Sequence, residues 1–182
     1  MKKKIMRLPV TLKHYVFVVF MMLLFSYTSS VAQTEEKIST QSTYVELGGN
    51  GLIVSFNYDT RFSRTKPGGL GAKAGFGGLA IGDFKIFTVP LNLNYLLGKN
   101  GKYFEVGLGT VYTTAGFFQD EDSNVAQFLG TMIFGYRSQP VDGGFTFRAG
   151  LTPVFGNLKV EGEPDTFIFI PYFGGISFGY AF

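Results

Sequence analysis

The stretch Gly174-Gly175-Ile176-Ser177-Phe178-Gly179-Tyr180-Ala181-Phe182 decides the fold class of this chain. Side chains of a strand alternate between two faces, so Ile176, Phe178, Tyr180 and Phe182 share one face. Gly175, Ser177, Gly179 and Ala181 share the other, and all four are small. Soluble domains tend to fray at their ends. A strand that stays ordered up to a last aromatic residue is expected where it must close a barrel in lipid.

The same two-faced pattern recurs upstream. Leu52, Val54, Phe56, Tyr58 and Phe62 alternate with Ser55, Asn57, Asp59 and Arg61. Leu70, Ala72, Ala74 and Phe76 alternate with Gly71, Lys73, Gly75 and Gly77, and Phe87 to Leu97 alternate with Thr88, Pro90, Asn92 and Asn94. Phe104, Val106, Leu108 and Tyr112 oppose Glu105, Gly107 and Gly109; Phe128, Met132, Phe134 and Tyr136 oppose Gln127, Thr131, Gly135 and Arg137. Phe145, Phe147, Ala149, Leu151 and Phe155 oppose Thr146, Arg148, Gly150 and Thr152. Together with the last strand these make seven. Val45 and Leu47 in Thr43–Gly48 supply an eighth, with the parity flipping at Gly49-Asn50-Gly51 as a tight turn demands. The alternative at that point is a glycine bulge inside one long first strand.

Periodicity alone does not say which face points inward. A lipocalin-like soluble barrel carries the same alternation with its apolar face inside. So many Phe, Leu and Tyr would overfill a small barrel, however, and the Gly-rich face would make a poor solubilising coat. The expectation is an all-β fold, an eight-stranded antiparallel up-and-down transmembrane β-barrel over residues 43–182. Arg64–Pro67, Gly98–Gly101 and Ser138–Asp142 are read as short periplasmic turns, Gly116–Asn124 and Gly156–Thr166 as longer extracellular loops.

The N-terminal region is consistent with an exported protein. Lys2, Lys3, Lys4, Arg7 and Lys13 precede an apolar run, Tyr15–Phe25, and Ser30-Val31-Ala32 offers a small-x-small cleavage site. The run of 11 residues is well short of the ~20 that a spanning helix needs. Residues 1–32 therefore read as a cleaved signal peptide and residues 33–42 as a flexible periplasmic lead-in, with outer-membrane localisation to follow. Cleavage removes five of the 16 basic residues and none of the 13 acidic ones, so the mature formal charge is 11 against 13, or −2. A nucleic-acid partner based on the precursor's basicity is thereby set aside.

His14, the single histidine, leaves with the leader, and the chain has no cysteine. Ser-His and Cys-His nucleophiles, His or Cys metal sites and disulfides are excluded from the mature protein. Asp120, Asp122 and Asn124 echo the start of a calcium loop, but Val125 and Thr131 stand where its glycine and glutamate belong. No catalytic residue, metal or cofactor is assigned, and the protein is expected not to be an enzyme.

The small or polar face concentrates charge at Glu46, Asp59, Arg61, Lys73, Glu105, Arg137 and Arg148. Three acids against four bases in a narrow lumen must pair to offset their desolvation. The expected role is a salt-bridged lumen that fixes the barrel, the alternative a narrow small-solute channel.

Tyr44-Val45-Glu46-Leu47-Gly48-Gly49-Asn50-Gly51, Ser55-Phe56-Asn57-Tyr58-Asp59, Leu93–Lys99, Gly135-Tyr136-Arg137 and Asp142–Pro153 carry a resemblance. They resemble the small outer-membrane β-barrel proteins of Bacteroidota-type Gram-negative bacteria. The resemblance implies folding by the outer-membrane assembly machinery, with the strand bearing Ile176, Phe178, Tyr180 and Phe182 as the recognition signal. It also implies outer-membrane lipids as surroundings, and it names no ligand. The functional expectation is an envelope-structural or surface-interaction barrel. A lipid-modifying outer-membrane enzyme is a further alternative, one that would have to work without histidine.

Overall fold

The structure, a computed structural model, describes residues 38–117, 120–158 and 164–182. All of them fall in one compact unit, Glu36–Phe182. The segment read as a signal peptide lies outside the described residues.

Ten β-segments form a single antiparallel sheet: β1 (Gln41–Gly48), β2 (Val54–Arg61), β3 (Gly69–Ile81), β4 (Phe84–Lys99), β5 (Lys102–Phe117), β6 (Asp120–Ser138), β7 (Gly144–Leu151), β8 (Val154–Leu158), β9 (Thr166–Ile170) and β10 (Gly174–Ala181). Each of β1 to β6 pairs with the next, β7 pairs with β10, and β10 returns to β1. The result is a closed eight-stranded antiparallel barrel in which β7 with β8, and β9 with β10, each make one stave. Closure leaves no edge along the barrel's middle.

Proline accounts for the two broken staves. Pro153 lies between β7 and β8, and Pro171 between β9 and β10. Neither supplies a backbone N–H, so the ladder breaks there. The two breaks sit side by side, since the Thr152 N–H donates to the Phe173 carbonyl at 2.7 Å. The pairing also slips by one residue, from Gly174↔Leu151 to Ile170↔Val154. Even-numbered residues therefore face outward along β10 and inward along β9.

The first hairpin reverses through a 3-10 turn at Gly49–Gly51, with Gly48 and Gly49 at φ +70° and +62°. Left-handed backbone of this kind is readily adopted by glycine. Residues 43–48 thus belong to a strand of their own. Leu52, read from the sequence as part of the second strand, falls instead in the turn, with φ +69°.

Three expectations need correction. The lead-in ends earlier than residue 42, because Gln41 and Phe182 exchange backbone hydrogen bonds of 3.1 and 2.9 Å and draw Gln41 and Ser42 into β1. Most of the expected loop Gly116–Asn124 is strand, β5 continuing to Phe117 and β6 starting at Asp120. The expected loop Gly156–Thr166 is likewise shortened by β8 and β9, with residues 159–163 outside the described set. These acidic and polar stretches read as loops because they lack a bulky-small alternation, yet the backbone on either side still finds partners across the hairpins. The Asp120-Asp122-Asn124 echo of a calcium loop lies in β6, where nothing is described of these side chains.

Burial is inverted relative to a soluble barrel. Phe56, Leu91, Leu93, Phe104, Phe134 and Phe178 are exposed, while Asn57, Asp59, Asn94, Arg137 and Ser177 are buried. The apolar faces point outward and the polar faces line the interior.

Candidate functional site: the ion-paired interior

All seven charged residues of the polar face, Glu46, Asp59, Arg61, Lys73, Glu105, Arg137 and Arg148, are buried inside the barrel. β1 supplies Glu46, β2 Asp59 and Arg61, β3 Lys73, β5 Glu105, β6 Arg137 and β7 Arg148. Alternation aims each one inward, and closure brings those of β2, β5, β6 and β7 to a common centre.

Asp59 is that centre, and its side chain has no exposed surface. Its Oδ1 takes Arg61 Nη2 at 2.7 Å and Arg137 Nη2 at 2.9 Å, while Arg148 Nη1 lies 3.6 Å from Oδ2. Glu105 Oε1 is shared by Arg148 at 3.6 Å and Arg137 at 3.8 Å. Asn94 joins the two acids, its amide donating to Asp59 Oδ2 at 2.7 Å and Glu105 Oε1 at 2.6 Å. Its carbonyl oxygen accepts from Arg61. Lys73 and Glu46 form a separate pair at 3.6 Å.

Three bases around two acids would be poorly matched without neutral partners. Ser42 accepts from Arg148 at 3.0 Å and from Arg137 at 3.3 Å. Gln139 accepts from Arg137 Nε at 2.9 Å and donates to the Ser39 carbonyl at 2.9 Å, tying the network to the turn end of the barrel. Glycine makes the room: a Cβ on Gly71 would stand 2.2 Å from the Arg61 guanidinium carbon.

Above this cluster the Gly49–Gly51 turn folds into the lumen. Asn50 donates to Thr131 Oγ1 at 2.9 Å and accepts from Lys73 Nζ at 3.0 Å. Thr88 donates to the Gly51 carbonyl at 2.9 Å, and Asn92 also donates to Thr131, at 2.8 Å. Beyond the turn, Val111, Leu129 and Val154 pack together with Leu52 and Phe173. A cavity of about 30 Å³ remains beside the network, lined by polar groups of Glu46, Arg148, Thr152 and Ser177. It has room for water but not for a larger solute.

Several interior residues were not singled out from the sequence. Tyr44 shares the parity of Glu46, and Arg148 lies over its ring, 3.8 Å from the centroid. Tyr103 shares the parity of Glu105 and is likewise buried. Parity was signal enough for both; an aromatic residue simply reads as outward. Nothing in the sequence pointed to Asn50, a turn residue, entering the lumen. Ile176, Phe178, Tyr180 and Phe182 lie on the exposed face, remote from the network.

Fold and interior together define a class: a closed eight-stranded antiparallel β-barrel with an ion-paired, turn-plugged lumen and an apolar outer surface. No protein-family model matches the chain, and neither a curated protein nor a solved structure matches it.

Proposed function

We propose that this chain is an integral outer-membrane β-barrel protein without enzymatic activity, serving as an envelope-structural or surface-interaction element. The inverted burial carries the reading. In water, a coat that includes Phe56, Leu91, Leu93, Phe104 and Phe178 would be a contiguous apolar surface of the kind soluble monomers avoid. In lipid it is the apolar band of a spanning barrel, whose closure satisfies the backbone where water is absent.

The basic, apolar and small-residue order of residues 1–32 supports export, and the resemblance to Bacteroidota-type barrels supports the outer membrane as destination. Assembly machinery that reads the strand of Ile176, Phe178, Tyr180 and Phe182 belongs to the same proposal. The filled lumen favours a structural interior over the small-solute channel. The interior charges are paired with one another, and the cavity left beside them is only about 30 Å³.

Heat modifiability tests the reading. An unboiled sample of the outer-membrane fraction should migrate faster than a boiled one and resist protease. An unshifted band in the soluble periplasmic fraction would overturn it.

A further inference from the structure

The lumen is polar only as far as the Gly49–Gly51 turn, and beyond it the inward positions become largely apolar. On β3 the face that carries Lys73 continues to Leu79 and Ile81, because the β3–β4 register holds from Lys73↔Asn92 to Ile81↔Phe84. The partners on β4 are Ile86 and Phe84. On β9, Ile170 pairs with Val154, itself opposite the inward Thr131, and Ile168 shares that face. Thr113 and Gln127, opposite each other on β5 and β6, add polar groups at this level. The floor is the cluster of Val111, Leu129 and Val154. Leu79, Ile81 and Ile170 face inward and yet are 39%, 66% and 45% exposed. They line an open apolar cup.

The wall of that cup has a gap. The β1–β2 hairpin is short: β1 pairs with β10 up to Gly48↔Gly175, and β2 with β3 up to Ser55↔Gly77. Among the described residues, Gly78–Ile81 pairs only with β4, and β9 only with β8. Two free strand edges therefore flank the space above the hairpin. Both rims are apolar inside and out, with Phe76, Phe167 and Phe169 exposed on the outer side. The inner lining is thus continuous with the outer belt.

We infer that the cup receives one acyl chain of a membrane lipid, entering sideways through this gap. The inference rests on the outer-membrane reading, which places the gap beside lipid. Among the described side chains the inward positions of the cup carry no charge and the lumen charges lie on the far side of the Asn50 turn, so a charged solute would lose its hydration there without gaining an ionic partner. An added peptide strand would gain few backbone bonds from edges this short. An aliphatic chain needs neither, and gains by leaving the open rim covered.

The full-length protein in phosphatidylcholine vesicles whose acyl chains carry a diazirine provides the test, with adducts mapped by mass spectrometry. Adducts are expected on the belt, at Leu91, Leu93 or Phe104, and also inside, at Leu79, Ile86 or Ile170. Ile170→Trp and, separately, Leu79→Trp should abolish the inner adducts and preserve the belt adducts. Belt adducts without inner ones would overturn the cup while leaving the outer-membrane reading intact. Absence of both would overturn the two together. Inner labelling by a free diazirine fatty acid but not by the vesicle lipid would overturn the membrane lipid as source.

Discussion

The guanidinium carbon of Arg148 lies 3.8 Å from the centroid of the Tyr44 ring, across β10 from one stave to another. A desolvated cation over an aromatic face contributes about 2 kcal/mol. Tyr44→Phe keeps the ring and should unfold in urea at nearly the wild-type midpoint. Tyr44→Leu should lose roughly 2 kcal/mol. Equal losses in the two variants would mean that the hydroxyl, and not the ring, matters to the network.

Asp59 holds three guanidinium groups, with Arg61 and Arg137 in direct hydrogen bonds. Removing one partner of a buried ionic cluster typically costs about 3–5 kcal/mol, because the remaining charges stay buried without compensation. Asp59→Ala should therefore prevent folding or lower stability by that amount. Glu46→Gln touches a single pair at 3.6 Å and should cost less. The comparison is read as the denaturant midpoint of detergent-refolded protein; a milder effect at Asp59 than at Glu46 would contradict Asp59 as the hub.

Leu91 is half exposed on the outer face, at the middle of β4. In a lipid-facing belt, Leu91→Arg should destabilise by about 2–4 kcal/mol and reduce assembly. On a water-facing surface the same change would be close to neutral. Quantifying the heat-modifiable fraction in membranes separates these outcomes.

Asn50 joins Thr131 and Lys73 at 2.9 and 3.0 Å and closes the lumen. Asn50→Ala leaves the buried lysine short of a partner, at a cost of about 1–3 kcal/mol. In planar bilayers the wild-type protein should pass no current above background, with Arg148→Ala as the control for a pathway through the network. A wild-type conductance abolished or altered by Arg148→Ala would restore the channel alternative.

Alternation along strands such as Phe87–Leu97 was enough to read the all-β class and which charged residues share a face with one another, while the direction of that face needed the further argument from barrel size and surface. A period of two is a local property, visible without knowing any partner. The parity flip across Gly49–Gly51 allowed either an eighth strand or a glycine bulge, and the β1–β2 pairing decides for the strand. Strand ends were not legible: Thr113 to Asn124 lacks bulky alternation, and only cross-hairpin pairing shows that β5 and β6 continue.

What the chain determined by itself, then, is the two-faced strand and the set of side chains that must share one face. Tertiary structure alone decided which of those side chains meet. Asp59 and Arg137 are 78 residues apart and become partners at 2.9 Å only through barrel closure and register. The same is true of Asn50 beneath Thr131, and of the one-residue slip after Pro171 that turns Ile168 and Ile170 inward. Parity is set residue by residue along one strand. Contact depends on how far each strand has slid against its neighbours, which no single segment encodes.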